Sequence, residues 1–107
     1  MKMVKAIIRP ERLYDLISAL EKKDFRGMTV VEVFGRGKEG GLRFGERQYY
    51  ELAKTLVMIA VNDDRVDELV DTIIKTAGSG LFGDGKVFVC DLEEVWTIRT
   101  GKMDERL

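Results

Sequence analysis

Apolar residues recur along the chain with two different periods, and the changes of period mark its elements. Residues 3 to 8, Met-Val-Lys-Ala-Ile-Ile, are apolar and β-branched enough to predict a strand, which Arg9 and Pro10 end. Pro10 supplies the fixed φ favoured at a helix start, and Leu13, Leu16, Ile17 and Leu20 then fall at i, i+3, i+4 and i+7. That spacing predicts a helix with one apolar face, ending near Asp24 to Gly27, with Glu11, Arg12, Asp15, Glu21 and Lys22 left for solvent. Residues 28 to 34 predict a second strand. Lys54 to Val61, nearly all apolar after Lys54, predicts a third, buried on both faces in the core and at a subunit interface. Asn62 suits an N-cap, and Asp63 and Asp64 place negative charge at the positive end of a helix dipole. Val66, Leu69, Val70, Ile73, Ile74 and Ala77 carry that second helix to Gly78, a natural stop. Lys86 to Cys90 and Glu94 to Arg99 are both strand-like.

The order is strand, helix, strand, long loop, strand, helix, strand. Two such halves predict an α+β fold, a ferredoxin-like βαββαβ sandwich in a single domain over residues 1–107, with both helices on one face of an antiparallel sheet. Apolar residues on the sheet's other face would then need a cover, so a homo-oligomer is expected.

Composition narrows the chemistry. The 107 residues include no histidine and one cysteine, Cys90, which removes zinc ribbons, zinc-water hydrolases, Ser-His-Asp triads and Cys-His pairs. Cys90 lies in a strand-like run without a neighbour that would lower its pKa, and is expected to pack as a small hydrophobe. A net charge of -1, from 18 basic and 19 acidic side chains, argues against nucleic-acid binding. No apolar run approaches the roughly 20 residues of a membrane span. The N-terminus shows no small-residue cleavage site, so a cytoplasmic protein without membrane insertion is expected. The carboxylates Asp63, Asp64, Asp67, Glu68 and Asp71 are assigned to a solvated helix face in preference to a metal site.

Nine of the 11 glycines fall in two windows. The first, Gly35, Gly37, Gly40, Gly41 and Gly45, comes with Arg36, Lys38, Arg43 and Arg47 against Glu39 and Glu46, in a stretch without apolar periodicity. A long, mobile, mildly cationic loop of functional use is expected there. The second runs from Gly78 through Gly80, Gly83 and Gly85 to Lys86 and a strand. Glycines let backbone N–H groups approach an anion, and a terminal lysine adds a point charge, which suits a polyphosphate. The ending is not that of a Walker A loop, and a strand follows where a dinucleotide fingerprint has a helix. On composition alone, a plain glycine-rich turn serves equally well.

The segment Gly83-Asp84-Gly85-Lys86-Val87-Phe88-Val89, preceded by Asp71-Thr72-Ile73-Ile74-Lys75-Thr76-Ala77, closely resembles the C-terminal signature of the PII nitrogen-regulatory signalling proteins. Further matches are Ala6-Ile7-Ile8-Arg9-Pro10, Gly27-Met28-Thr29-Val30, Glu32-Val33, Gly35 with Gly37, and Ile98-Arg99-Thr100-Gly101. The resemblance implies a non-enzymatic homotrimer of ferredoxin-like subunits, with ATP and ADP competing for each inter-subunit cleft and 2-oxoglutarate joining ATP through a bridging Mg2+. It implies that Gly83, Asp84, Gly85 and Lys86 cradle the phosphates, that Arg99 reaches them from the neighbouring subunit, and that Thr29, Gly35, Gly37 and Lys38 complete the nucleotide pocket. Lys54 matches the family lysine that pairs with a 2-oxoglutarate carboxylate, and Mg2+ is expected only through ATP. Residues 36–53 correspond to the T-loop, between the second and third strands, whose conformation reports the ligand state to a target.

The chain departs from the common pattern in its shorter loop, in Glu39 where the family has a glutamine contacting Mg2+ and 2-oxoglutarate, and in Thr97 where a phosphate-binding arginine is usual. The modified tyrosine of the family has no clean counterpart, Tyr49 and Tyr50 lying nearest. These features look like the subfamily encoded with nitrogenase genes, which acts with a second PII-like protein, so nitrogenase is the expected target and a hetero-assembly is an option. The alternative is a general PII protein that controls an ammonium transporter or glutamine synthetase. From other classes, a small phosphatase using Asp84 and Lys86 lacks an evident general-base pair, and a trimer of the related copper-tolerance fold would bind no ATP.

Overall fold

The computed structural model describes residues 1–38 and 52–107 with side chains, and the backbone of 42–44 and 47–49. In chain order the elements are β1 (Lys2–Ile8), α1 (Leu13–Lys22), β2 (Thr29–Gly35), β3 (Leu42–Phe44), β4 (Arg47–Tyr49), β5 (Leu52–Val61), α2 (Val66–Ala77), β6 (Lys86–Asp91), β7 (Trp96–Thr97) and β8 (Lys102–Met103). β1, β2, β5 and β6 form one antiparallel sheet in the order β2-β5-β1-β6, with both helices on one face. This is the ferredoxin-like α+β sandwich that the periodicity predicts.

The two-residue period of the strands decides what each face holds. On β1, Val4, Ala6 and Ile8 turn to the helices, and the register sets Val4 opposite Ile59 and Ala6 opposite Val57. Leu16 and Leu20 from α1 and Leu69, Ile73 and Ala77 from α2 close over them. Each fully buried leucine or isoleucine contributes about 1.5–3 kcal/mol. Phe25 seals the end of α1, with the Arg65 guanidinium stacked 3.9 Å from its ring centre.

The opposite face carries Val31 and Val33, then Leu56, Met58 and Ala60, then Met3 and Ile7, then Phe88 and Cys90 across the four strands. Among the described residues of this face the only charges are Lys5, Lys54 and Lys86. β5 therefore alternates between buried residues on the helix side and half-buried ones on this side. Cys90 is exposed here, on an edge strand, instead of packed as the sequence suggested.

Local differences from expectation have local causes. Both helices open with a 3-10 turn, Pro10–Arg12 and Asp63–Arg65. Asn62 occupies the N-cap position, but its side chain makes no cap bond; it pairs in both directions with the backbone of Leu107, at 2.7 and 2.9 Å. Gly78 ends α2 in an extended conformation (φ -79, ψ 144), not a left-handed one, because the chain leaves directly for the next loop. The strand expected over Glu94 to Arg99 shrinks to β7: the chain turns at Ile98 to Gly101 and returns as β8, so Ile98 and Arg99 stand on an exposed turn. Within the first glycine window, where the sequence predicted no strand, β3 and β4 pair antiparallel, Leu42 opposite Tyr49, while Gly40, Gly41, Gly45 and Glu46 lie outside the described residues. No helix among the described residues is long and apolar enough to cross a membrane. Asp64, Glu68 and Asp71 face solvent in pairs with Arg106, Arg65 and Lys75, at 3.0, 3.2 and 2.9 Å.

Candidate functional site

The loop between α2 and β6 is folded around one carboxylate. Asp84 accepts hydrogen bonds from the backbone N–H groups of Ser79 and Gly80, each at 2.8 Å, from the Ser79 hydroxyl at 2.6 Å, and from Arg9 Nε at 3.2 Å. The Ser79 hydroxyl and the Ser79 and Gly80 amides, with Arg9, hold its carboxyl well below the usual carboxylate range. Arg9 also donates to the Phe82 carbonyl, at 2.7 Å. Gly85 then brings the chain back against β1 with φ +105, and a Cβ there would lie 1.7 Å from the Ile7 carbonyl oxygen. Only glycine fits that approach.

Lys54, near the start of β5, reaches across and donates to the Gly83 carbonyl. Burial lowers its pKa from the ordinary lysine value, and the nearby Arg9 charge lowers it further, against smaller opposing effects of Glu11 and Asp84. The cleft between this loop and the end of β2 has a volume of about 380 Å3. Gly35, Arg36, Gly37 and Lys38 form one wall, Gly83 to Lys86 the other, Lys54 the floor, and Ile7, Leu81, Phe82 and Phe88 the apolar rim. Lys38 and Lys86 are exposed at its mouth.

Eight sequence-predicted residues thus share one cleft: Gly35, Gly37, Lys38, Lys54, Gly83, Asp84, Gly85 and Lys86. Asp84 lines it differently from expectation, because its carboxylate is committed inside the loop. Thr29 and Arg99 are elsewhere. Thr29 lies at the other end of β2, roughly 20 Å of strand from Gly35 at about 3.3 Å per residue, along a second cavity of about 570 Å3 with Phe25, Met28, Met58 and Leu107. Arg99 sits on the β7–β8 turn. Glu39 and Tyr50 lie outside the described residues, as do the side chains of Arg43, Arg47 and Tyr49.

Sequence inspection missed Arg9, Leu81 and Phe82 as parts of this site. Arg9 stands 75 positions from Asp84, and no spacing rule links them; its signals were a cation closing an apolar strand and a place in the family-matching run Ala6 to Pro10, neither of which names a partner. Three lysines around glycine-loop amides, with the one loop carboxylate already satisfied, fit a polyanion better than a bare cation. Among the described residues there is no group of three side chains able to hold a metal ion.

The family model described as nitrogen regulatory protein P-II matches residues 1–102. The chain is 50% identical over 102 residues to the nitrogen fixation nifHD region GlnB-like protein 1 of Methanothermococcus thermolithotrophicus, covering 95% of this chain and 97% of the relative. It is 44% identical over 102 residues, with the same coverage, to the nifHD1 region GlnB-like protein 1 of Methanosarcina barkeri. It is 46% identical over 110 residues to nitrogen regulatory protein P-II 2 of Methanothermobacter thermautotrophicus, covering 99% of this chain and 96% of the relative.

Proposed function

The chain belongs to the nitrogen regulatory protein P-II family, and on that premise we propose that it is a homotrimeric sensor that binds ATP or ADP in clefts between subunits and reports the outcome through residues 36–53. The observation that carries this is the convergence of Lys38, Lys54 and Lys86 with the Gly83–Lys86 backbone on one cleft. Lys86 and the loop amides take the phosphates, and Gly35, Gly37 and Lys38 close the site from β2. Thr29 lies a full strand length from this cleft and Arg99 does not line it, so in this reading both enter it from an adjacent subunit. The half-exposed apolar face, with Phe88 47% exposed, is the surface on which three copies would pack.

2-Oxoglutarate joins the nucleotide with Mg2+ when ATP is present. Lys54 is its carboxylate partner; its ammonium already donates one N–H to the Gly83 carbonyl and has others for the oxoacid, so the oxoacid and the glycine loop share one cation. Glu39, where the family has a glutamine, brings a negative charge in place of a neutral side chain and weakens 2-oxoglutarate binding by charge repulsion. ADP lacks the terminal phosphate and cannot support the same arrangement, which gives the β3–β4 ribbon a ligand-dependent conformation.

The nifHD-region names of two relatives support nitrogenase as the regulated target. A general role toward an ammonium transporter or glutamine synthetase is favoured by one observation, the P-II 2 relative whose name carries no nif association. Calorimetric titration with ATP, followed by 2-oxoglutarate in the presence of Mg2+ and ATP, tests the sensor. Binding of ATP in the micromolar range is expected, and failure to bind below millimolar concentration overturns the proposal. Pull-down of nitrogenase components against transporter and synthetase, with and without ATP, separates the two targets.

A further inference from the structure

Arg9 sits at the one point where β1, the glycine loop and the cleft floor meet. Its Nε donates to Asp84 at 3.2 Å and a terminal nitrogen donates to the Phe82 carbonyl at 2.7 Å. The guanidinium passes directly beneath Gly83, where an added Cβ would come within 3.2 Å of it. Its side chain is about one quarter exposed, as is that of Asp84, so the pair is partly shielded from solvent. Pro10 follows immediately and fixes the backbone that aims it.

We propose that Arg9 is the positioning residue of the anion cleft: by bridging Asp84 and the Phe82 carbonyl it holds the 79–85 loop with its amides directed at the bound phosphates, without touching the ligand itself. The proposal rests on the nucleotide reading given above. The physical case lies in the fork geometry of the guanidinium. Two donors on one planar group fix the distance between two loop positions, which a lysine ammonium, a single point of charge on a flexible stem, cannot do as rigidly. Without Arg9, Asp84 retains Ser79 and Gly80 but the loop loses its tie to β1, so each phosphate contact must first order the loop. Arg9 also adds to the positive field around Lys54, so its removal brings the Lys54 ammonium back toward its ordinary titration range.

The test compares the full-length chain with Arg9→Ala and Arg9→Lys by amide hydrogen exchange without nucleotide and by calorimetry with ATP and AMP. Exchange at Ser79 and Gly80 should accelerate in Arg9→Ala while the β1 and β5 amides keep their protection. ATP affinity should fall about tenfold or more, the loss of charge-assisted hydrogen bonds, with AMP affinity changed less than about twofold. Arg9→Lys should fall between the two, and millimolar guanidinium ion should restore ATP binding to Arg9→Ala, which a general loss of fold would not permit. Equal losses for ATP and AMP, undiminished ATP affinity in Arg9→Ala, or no guanidinium rescue overturns the proposal. Should the unaltered chain bind no ATP, the nucleotide reading falls by itself, and the exchange rates alone decide on Arg9: acceleration sustains the loop tie, unchanged rates overturn it.

Discussion

Replacing Gly85 by alanine should damage this protein more than any other single methyl group added to the glycine loop, and the reason is measurable in the backbone. At φ +105 an L-residue costs on the order of 1–2 kcal/mol in strain. The new Cβ would also lie 1.7 Å from the Ile7 carbonyl oxygen and 2.7 Å from its carbon, against an ordinary contact starting at 3.4 Å. The obstructing atoms are backbone, so no rotamer relieves the overlap. β1 and β6 must part where Ile7 faces Lys86, and the last ladder bonds between them are lost, at about 1 kcal/mol each plus the cost of any orphaned group. The combined destabilisation is about 3–5 kcal/mol, equivalent to a fall in Tm of roughly 12–20 °C for a domain of this size. Two other glycines calibrate the measurement. Gly101 has φ +68 but open space around it, so Gly101→Ala should show strain alone, on the order of 1 kcal/mol. Gly27 has open space without a positive φ and should be near neutral. Urea unfolding of all three variants at one protein concentration, followed by far-UV circular dichroism, gives the comparison. If Gly85→Ala costs no more than Gly101→Ala, the close approach of the two chains is not what the loop depends on.

Lys86→Ala should weaken ATP binding by about tenfold or more while AMP changes little, because the lysine is assigned to the distal phosphates; equal losses in calorimetry would refute that assignment. Lys54 has a lowered pKa, so its contribution to binding a dicarboxylate should fade as pH rises through a value below that of a free lysine, 10.5. A pH series of 2-oxoglutarate affinity checks this, and an unchanged affinity up to that value would count against it. Asp84 has a lowered pKa, so the stability it adds is present above its unfolded value of 3.8 and is lost only as pH falls further toward its folded value. Asp84→Asn should therefore lower stability at neutral pH, with the gap to the unaltered chain narrowing only in strong acid. Leu69→Ala removes a side chain with no solvent exposure from α2 and should cost about 2–5 kcal/mol by denaturant titration, without preferential loss of ATP over AMP.

Period and order alone determined the architecture. The helical spacing of Leu13 to Leu20 and of Val66 to Ala77, and the apolar strands on either side, leave few arrangements other than two helices packed on one sheet. The glycine windows marked where the cleft would be, because a residue without Cβ is conspicuous in sequence whatever surrounds it. What only the tertiary structure decided is the use of the charged side chains. Asp84 appeared in sequence as a phosphate-cradle residue, and folding turns its carboxylate into the loop, where Ser79, Gly80 and Arg9 consume its acceptors. Asn62 appeared as a side-chain cap and instead binds the backbone of Leu107. Arg9 appeared only as the cation closing an apolar strand and as part of the family-matching run Ala6 to Pro10, with no partner assigned to it. A hydrophobic period is a local property that each element satisfies by itself, whereas a hydrogen-bond partner 75 positions away is chosen only once the sheet order has set β1 beside β6. The same distinction separates the gathered residues, from Gly35 to Lys86, from Thr29 and Arg99: the chain's own topology brings the first set together, while Thr29 stands off by roughly the length of β2 and Arg99 lies on the β7–β8 turn outside the cleft lining.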